Sequence, residues 1–292
     1  MTLFSERFVT SPDGLKLFTR DYPAHGCERG TPVLCIHGLT RSSADFEGIA
    51  PRIAGKGRRV IAIDVRGRGR SERDPKPERY QAPTYVGDVI AILNTLDIKT
   101  AVFIGTSMGG LITMVAGAMA PDRVHAAVLN DIGPVVDPRG IQRISGYAGK
   151  TGTFESWDAL VDRLKALQGT MFPDADEAFW QTFARRTVTV RSDGTLEFDY
   201  DPAIANAFAP PKDGEPAPAP PDLMPLFQAL AARPVLVLRG ALSDILSPDG
   251  IAAMRAVKPD LEVAEVPGIG HAPTLEEPAA WAAISAFLDR VG

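Results

Sequence analysis

The sequence is poor in cysteine and histidine, with two of the first and four of the second among 292 residues. Cys27 and Cys35 lack the paired spacing of a disulfide framework or a zinc site, and Cys35, inside an apolar run, reads as a small core residue. No uninterrupted apolar run reaches the roughly 18 residues a membrane span needs. The amino-terminal "MTLFSERFVTSPDG" lacks the basic, apolar and small-residue segments of a secretory signal. Dense Lys/Arg runs are missing too: the net charge is -5, and "RGRGR" at 66–70 is the only short basic piece, which argues against a polyanion partner. With no nucleotide motif, metal cluster or haem signature, these absences predict a cytoplasmic protein with no cofactor, no metal, and no nucleic-acid or membrane partner.

What the chain does have is a 45% apolar composition, ordinary for a globular protein with a large core. Short runs rich in Val and Ile recur: "VLCI" (33–36), "VIAID" (60–64), "AVFIG" (101–105), "AAVLN" (126–130), "VLVLRG" (235–240) and "LEVAEV" (261–266). Four to six residues closed by turn residues are too short for packed helices and read as buried strands. Helical patterns such as "APTYVGDVIAILNTLD" and "GLITMVAGAMA" lie between them. Such alternation predicts an α/β fold, a mostly parallel central sheet with helices on both faces. Ahead of it, "ERFVT", "SPDG" and "LKLFTRDY" read as an antiparallel hairpin.

The alternation fails between Pro134 and Asp222, where helix-like segments, a hairpin-like "VTVRSDGTLEFDY" and the proline-rich connector "APPKDGEPAPAPP" appear. The expected organisation is a core over 1–133 and 223–292, interrupted by a largely helical cap at 134–222. A lid suits that insertion, because open α/β sheets bind ligands at the carboxyl edge of the strands. Its Tyr147, Met171, Phe172, Phe179, Trp180 and Phe183 exceed what a solvated lid needs. About two thirds of them would pack the insertion itself, and the rest would line an apolar pocket.

The chemistry centres on "VFIGTSMGGL". Ser107 sits in the sharp turn between a strand and a helix, flanked by Gly105, Gly109 and Gly110. An N-cap serine is worth about 1 kcal/mol but needs no such glycines; an exposed nucleophile at a strained turn does. A serine hydroxyl needs a base. His25 sits in a solvated loop, His125 at a helix-to-strand junction and His37 in "HGLT", whereas His271, in the Gly-rich loop after the last strand, is the expected base. An acid must orient it. Asp244 in "RGALSD", after the penultimate strand, is preferred over Asp131 in "LNDIGP", which is read as the anchor of the crossing into the cap. Asp64, followed by "RGRGRS", reads as a loop organiser.

The ordered set "HGLT", "DVRGRGRS", "GTSMGG", "RGALSD" and "GHAPTLEEP" resembles the α/β-hydrolase fold superfamily, specifically its cap-containing members. The resemblance implies Ser107 as nucleophile, Asp244 as acid and His271 as base. It also implies an oxyanion hole from the backbone amides of Leu39 and Met108, with His37 and Gly38 shaping the loop. Some members of this superfamily place the acid where Asp131 stands. Dehalogenases and epoxide hydrolases of the fold carry aspartate in place of Ser107. Carbon–carbon bond hydrolases often have Asn and Trp where Thr106 and Ala272 occur. The expected activity is therefore a serine hydrolase acting on carboxylic esters or lactones of small, largely apolar acyl groups. The alternatives are a carbon–carbon bond hydrolase of ring-cleavage products and a non-catalytic ligand receptor on the same scaffold.

Overall fold

The computed structural model describes residues 3–150, 152–208 and 221–292. The chain opens with β1 (Ser5–Thr10) and β2 (Lys16–Tyr22), joined by a turn over Ser11–Gly14. Then come β3 (Val33–Ile36), α1 (Ala50–Ala54), β4 (Val60–Ile63), α2 (Ala82–Thr95), β5 (Ala101–Thr106), α3 (Met108–Met119) and β6 (Val124–Asn130). The next stretch carries α4 (Pro138–Ser145), β7 (Thr153–Phe154), α5 (Trp157–Gln168), α6 (Glu177–Arg185), β8 (Val188–Val190) and β9 (Leu196–Phe198). α7 (Met224–Leu230), β10 (Val235–Gly240), α8 (Pro248–Val257), β11 (Glu262–Val266) and α9 (Pro278–Arg290) complete the chain.

Eight strands form one sheet in the order β1-β2-β4-β3-β5-β6-β10-β11. The antiparallel β1–β2 hairpin joins β4 antiparallel, and every pairing from β4 through β3, β5, β6 and β10 to β11 is parallel. Both faces are covered, and side-chain alternation divides the core between them. In β3, Leu34 and Ile36 pack towards α2, α3, α7 and α8, while Val33 and Cys35 pack towards α1 and α9. The period of two along a strand thus fills two separate hydrophobic layers.

Between β6 and β10, capping residues set the helix starts. Asp137, Ser156 and Asp176 each accept an amide hydrogen in the first turn of α4, α5 and α6, and Pro138 occupies a first-turn position where no amide is needed. The hairpin-like segment forms β8 and β9, which with β7 make a small sheet. The proline-rich stretch 209–221, except Pro221, lies outside the described residues. None of the described helices is long and apolar enough to cross a membrane.

Candidate active site

Parallel strand order brings the ends of β5, β6, β10 and β11 to one edge of the sheet. Ser107 directly follows β5 and adopts φ 51°, ψ -113°, a strained conformation for a residue with a side chain. The turn is possible because its neighbours lack Cβ atoms. A Cβ on Gly105 would lie 2.3 Å from the Gly109 carbonyl oxygen, and one on Gly109 would lie 2.1 Å from that of Ile36.

Ser107 Oγ lies 2.8 Å from His271 Nε2, and His271 Nδ1 lies 2.8 Å from Asp131 Oδ2. With a carboxylate at Nδ1, that nitrogen carries the proton and donates it, leaving Nε2 to accept from the serine hydroxyl. Asp131 is fully buried. Its Oδ1 accepts the Gly240 amide at 2.9 Å, and its Oδ2 also accepts the Ser243 hydroxyl at 2.5 Å. Three donors from β10, its following loop and the imidazole therefore hold one carboxylate.

The expectation for Asp244 is corrected by this arrangement. Among the described residues Asp244 makes no hydrogen bond to His271; it forms a two-pronged ion pair with Arg143 of α4, at 2.6 and 2.8 Å. Burial raises its pKa, but the Arg143 guanidinium more than offsets that and holds it below the ordinary carboxylate value. The reason is local. A turn closes when the Ser243 amide donates to the Gly240 carbonyl, and Ser243 Oγ then caps the amides of Ile245 and Leu246 while reaching Asp131. The "ALSD" loop thus does reach the imidazole's carboxylate, through its serine. Asp131 needs no loop, because it follows β6, the neighbour of β5 in the sheet.

Among the described residues, the Leu39 and Met108 amides donate to no protein acceptor. Met108 begins α3, where the first-turn amides have no partner within the helix. The Leu39 amide is aimed by the residues before it. His37, fully buried, donates from Nδ1 to the Gly38 carbonyl at 2.6 Å and accepts the Val65 amide at Nε2 at 3.0 Å. Fixing the Gly38 carbonyl fixes the amide on the other side of the same planar peptide bond. Burial lowers the His37 pKa to about 4, which keeps the ring neutral and able to accept at Nε2.

Arg68 was not singled out by the sequence. It is 1% exposed, and among the described residues it has no carboxylate partner. Its Nε donates to the Leu39 carbonyl at 3.0 Å, Nη1 to the Arg66 carbonyl and the Tyr85 hydroxyl, and Nη2 lies 3.4 Å from Met108 Sδ. Arg68 thereby braces both residues that carry the two unpaired amides. The preceding Arg66 is spread over Asp13, Asp74 and Asp88, and Asp64 accepts the amides of Ser43 and Arg70, as expected of a loop organiser. Nothing in "RGRGRS" separates the three arginines by role; only their three-dimensional partners do.

In front of Ser107 lies a cavity of about 110 Å³, whose walls include Leu39, Arg41, Ile144, Phe172, Phe183, Arg186 and His271. A smaller one of about 40 Å³, lined by Tyr147, Lys150, Phe183 and Tyr200 among others, adjoins it. Of the six aromatic and thioether residues expected to divide between packing and lining, Tyr147, Phe172 and Phe183 line the larger cavity. Trp180 is buried against Phe172, Phe179 and Phe183. Met171 touches the histidine loop, accepting the Gly270 amide at its carbonyl and the His271 amide at sulfur.

Comparison with known proteins agrees with this architecture. A 3-hydroxybutyrate-oligomer hydrolase of Cupriavidus necator is 34% identical over 249 residues, covering 85% of this chain and 84% of that protein. A 2-(acetamidomethylene)succinate hydrolase of Mesorhizobium japonicum is 29% identical over 252 residues, covering 83% and 82%. The crystal structure of an alpha/beta hydrolase from Novosphingobium aromaticivorans superposes with a TM-score of 0.90 at 45% identity, over 99% of both chains. Residues 31–278 match the family described as alpha/beta hydrolase fold, and the chain belongs to that family of hydrolases.

Proposed function

We propose that the protein is a serine ester hydrolase in which Ser107, His271 and Asp131 form the catalytic triad. His271 Nε2 removes the Ser107 proton as Oγ attacks the ester carbonyl. The Leu39 and Met108 amides receive the negative charge that develops on the carbonyl oxygen, and removing one such donor typically costs on the order of 100- to 1,000-fold in rate. The proton passes from His271 to the departing alcohol. Water, activated by the same imidazole, then releases the acid and restores the serine. Asp131 keeps the proton on Nδ1 and stabilises the imidazolium at each step.

The observation that carries this reading is the continuous hydrogen-bonded chain from Ser107 through His271 to Asp131, beside two unpartnered amides. Residues 134–222 are read as a cap whose Ile144, Phe172 and Phe183 give the acyl pocket its apolar wall. The Cupriavidus relative, by its name, acts on 3-hydroxybutyrate oligomers. Short oligoesters of aliphatic hydroxy acids join simple short-chain esters as the proposed substrates. Purified protein should hydrolyse p-nitrophenyl butyrate and label with a fluorophosphonate, and Ser107→Ala should abolish both. Unchanged turnover in that variant would refute the mechanism.

A further inference from the structure

The cavity in front of Ser107 is not uniformly apolar: the charged residues on its wall are Arg41, Arg186 and Asp45. Arg41 runs beside the nucleophile, since a Cβ built on Gly38 would lie 3.7 Å from Arg41 Cγ and 3.9 Å from Ser107 Cβ. Its guanidinium is held in place by its neighbours, of which Asp45 and Phe183 share the cavity wall. Asp45 accepts from Nε and Nη2, Nη1 donates to the Thr187 hydroxyl, and the Phe183 ring lies 4.0 Å beneath it.

Arg186, just past the end of α6, is less completely satisfied. Its Nη1 donates to Glu276 at 2.5 Å, while its buried Nε has no hydrogen-bond partner among the described residues, the Glu47 carboxylate standing off at 4.0 Å. A guanidinium with an unpaired buried donor is costly, and Arg186 is part of the cavity wall, where an anionic oxygen would complement its charge. Glu47 and Glu276 are not part of the cavity wall; Asp45, paired with Arg41, is the carboxylate on it, and Arg186 stands on the wall without one beside it there. The adjoining cavity adds Lys150 to its lining and, among the described residues, no carboxylate. Aromatic and aliphatic side chains beside two fixed guanidinium groups suit a short hydrocarbon chain that ends in an anion.

We propose that Arg41 and Arg186 form a carboxylate subsite, and that the substrate is a short oligoester of an aliphatic hydroxy acid bound through its free carboxyl end. This rests on the ester-hydrolase reading above and names the substrate class of that site. One 3-hydroxy-acid unit separates the scissile carbonyl from the terminal carboxylate by four bonds, roughly 5 Å at about 1.5 Å per bond less bond angles. In the acyl-transfer step the Ser107 Oγ–carbon bond forms, the ester carbon–oxygen bond breaks, and the serine proton passes through His271 to the oxygen of the departing hydroxy acid. Water then cleaves the acyl-serine, so each cycle consumes one water and gives one alcohol and one acid. The proposed charged tail adds to the largely apolar acyl substrate expected from the sequence.

The test compares the linear dimer of 3-hydroxybutyrate as its free acid and as its neutral methyl ester. The wild type should favour the acid by about 30-fold in kcat/KM, a range typical of charge-assisted hydrogen bonds. That preference should reside in KM and shrink with added salt. Arg186→Gln and Arg41→Gln should each bring the acid-to-methyl-ester ratio towards one, with Arg186→Lys retaining part of it. Circular dichroism and thermal unfolding verify that the variants fold, and Ser107→Ala titrated calorimetrically with both dimers reads the subsite without turnover. Tenfold or tighter preference for the acid in that variant supports the subsite even if no ester is cleaved, an outcome that would fault the ester-hydrolase reading alone. Equal binding of the two dimers, or a wild-type preference untouched by Arg186→Gln, overturns the subsite.

Discussion

Replacing Asp131 by Asn separates the two candidate acids. Asp131 is buried and accepts three hydrogen bonds, from the Gly240 amide, the Ser243 hydroxyl and His271 Nδ1. An amide of the same shape still fills the space, but its NH2 group cannot accept where Oδ2 takes two donors. The imidazole then favours the tautomer with the proton on Nε2, which cannot accept the serine proton. A loss of about 10,000-fold in kcat is expected, equivalent to about 5.5 kcal/mol of transition-state stabilisation. Asp244→Asn should instead weaken the ion pair with Arg143, a partly exposed contact worth about 1 kcal/mol, and change kcat by less than about fivefold. Steady-state hydrolysis of p-nitrophenyl butyrate across pH 5 to 9 measures both, with thermal unfolding as the control for folding. A collapse of kcat in Asp244→Asn together with near-normal kcat in Asp131→Asn would refute the reasoning.

Arg68→Met should lower kcat by about 10- to 100-fold with little change in KM, because the Leu39 carbonyl loses its tether, and affinity for a boronic-acid transition-state analogue should fall in parallel. A change confined to KM would count against that positioning role. His37 has a folded-state pKa depressed to about 4 from 6.5, so the unfolded chain takes up its proton first as pH falls. Its contribution is fully present above pH 6.5 and declines by about 3 kcal/mol on going down to pH 4, measurable by urea unfolding, and His37→Gln should flatten that slope. Asp199 behaves oppositely. Burial and the charge of Asp64 raise its pKa from 3.8 to about 6, so its ionisation penalises the fold as pH rises through that window. Asp199→Asn should therefore stabilise the protein by about 3 kcal/mol at pH 8 and by almost nothing at pH 3.5, and an equal effect at both values would contradict the assignment.

Much of the architecture was legible in the sequence because its signals are local. Buried parallel strands require continuous Val/Ile runs, helices require a different period, and each run found its strand, including the β8–β9 hairpin and the opening β1–β2 pair. The serine turn was equally plain, since packing a strand end against a helix start leaves no room for Cβ atoms at Gly105 and Gly109. The sequence also expected a histidine after the last strand to meet this serine, and His271 Nε2 lies 2.8 Å from Ser107 Oγ.

Tertiary structure decided which carboxylate meets the imidazole. Asp131 and Asp244 both follow strands, and chain order does not reveal that β6 ends next to β5 while the loop after β10 turns its aspartate towards Arg143 and its serine towards Asp131. The roles of the arginines were hidden for the same reason. Arg66, Arg68, Arg41 and Arg186 are chemically identical in the sequence. One neutralises three carboxylates, one holds the Leu39 carbonyl, and two stand at the cavity wall, differences that arise only from partners far away along the chain. Backbone periodicity is written residue by residue, whereas the partner of a side chain depends on which distant segments the sheet brings to the same edge.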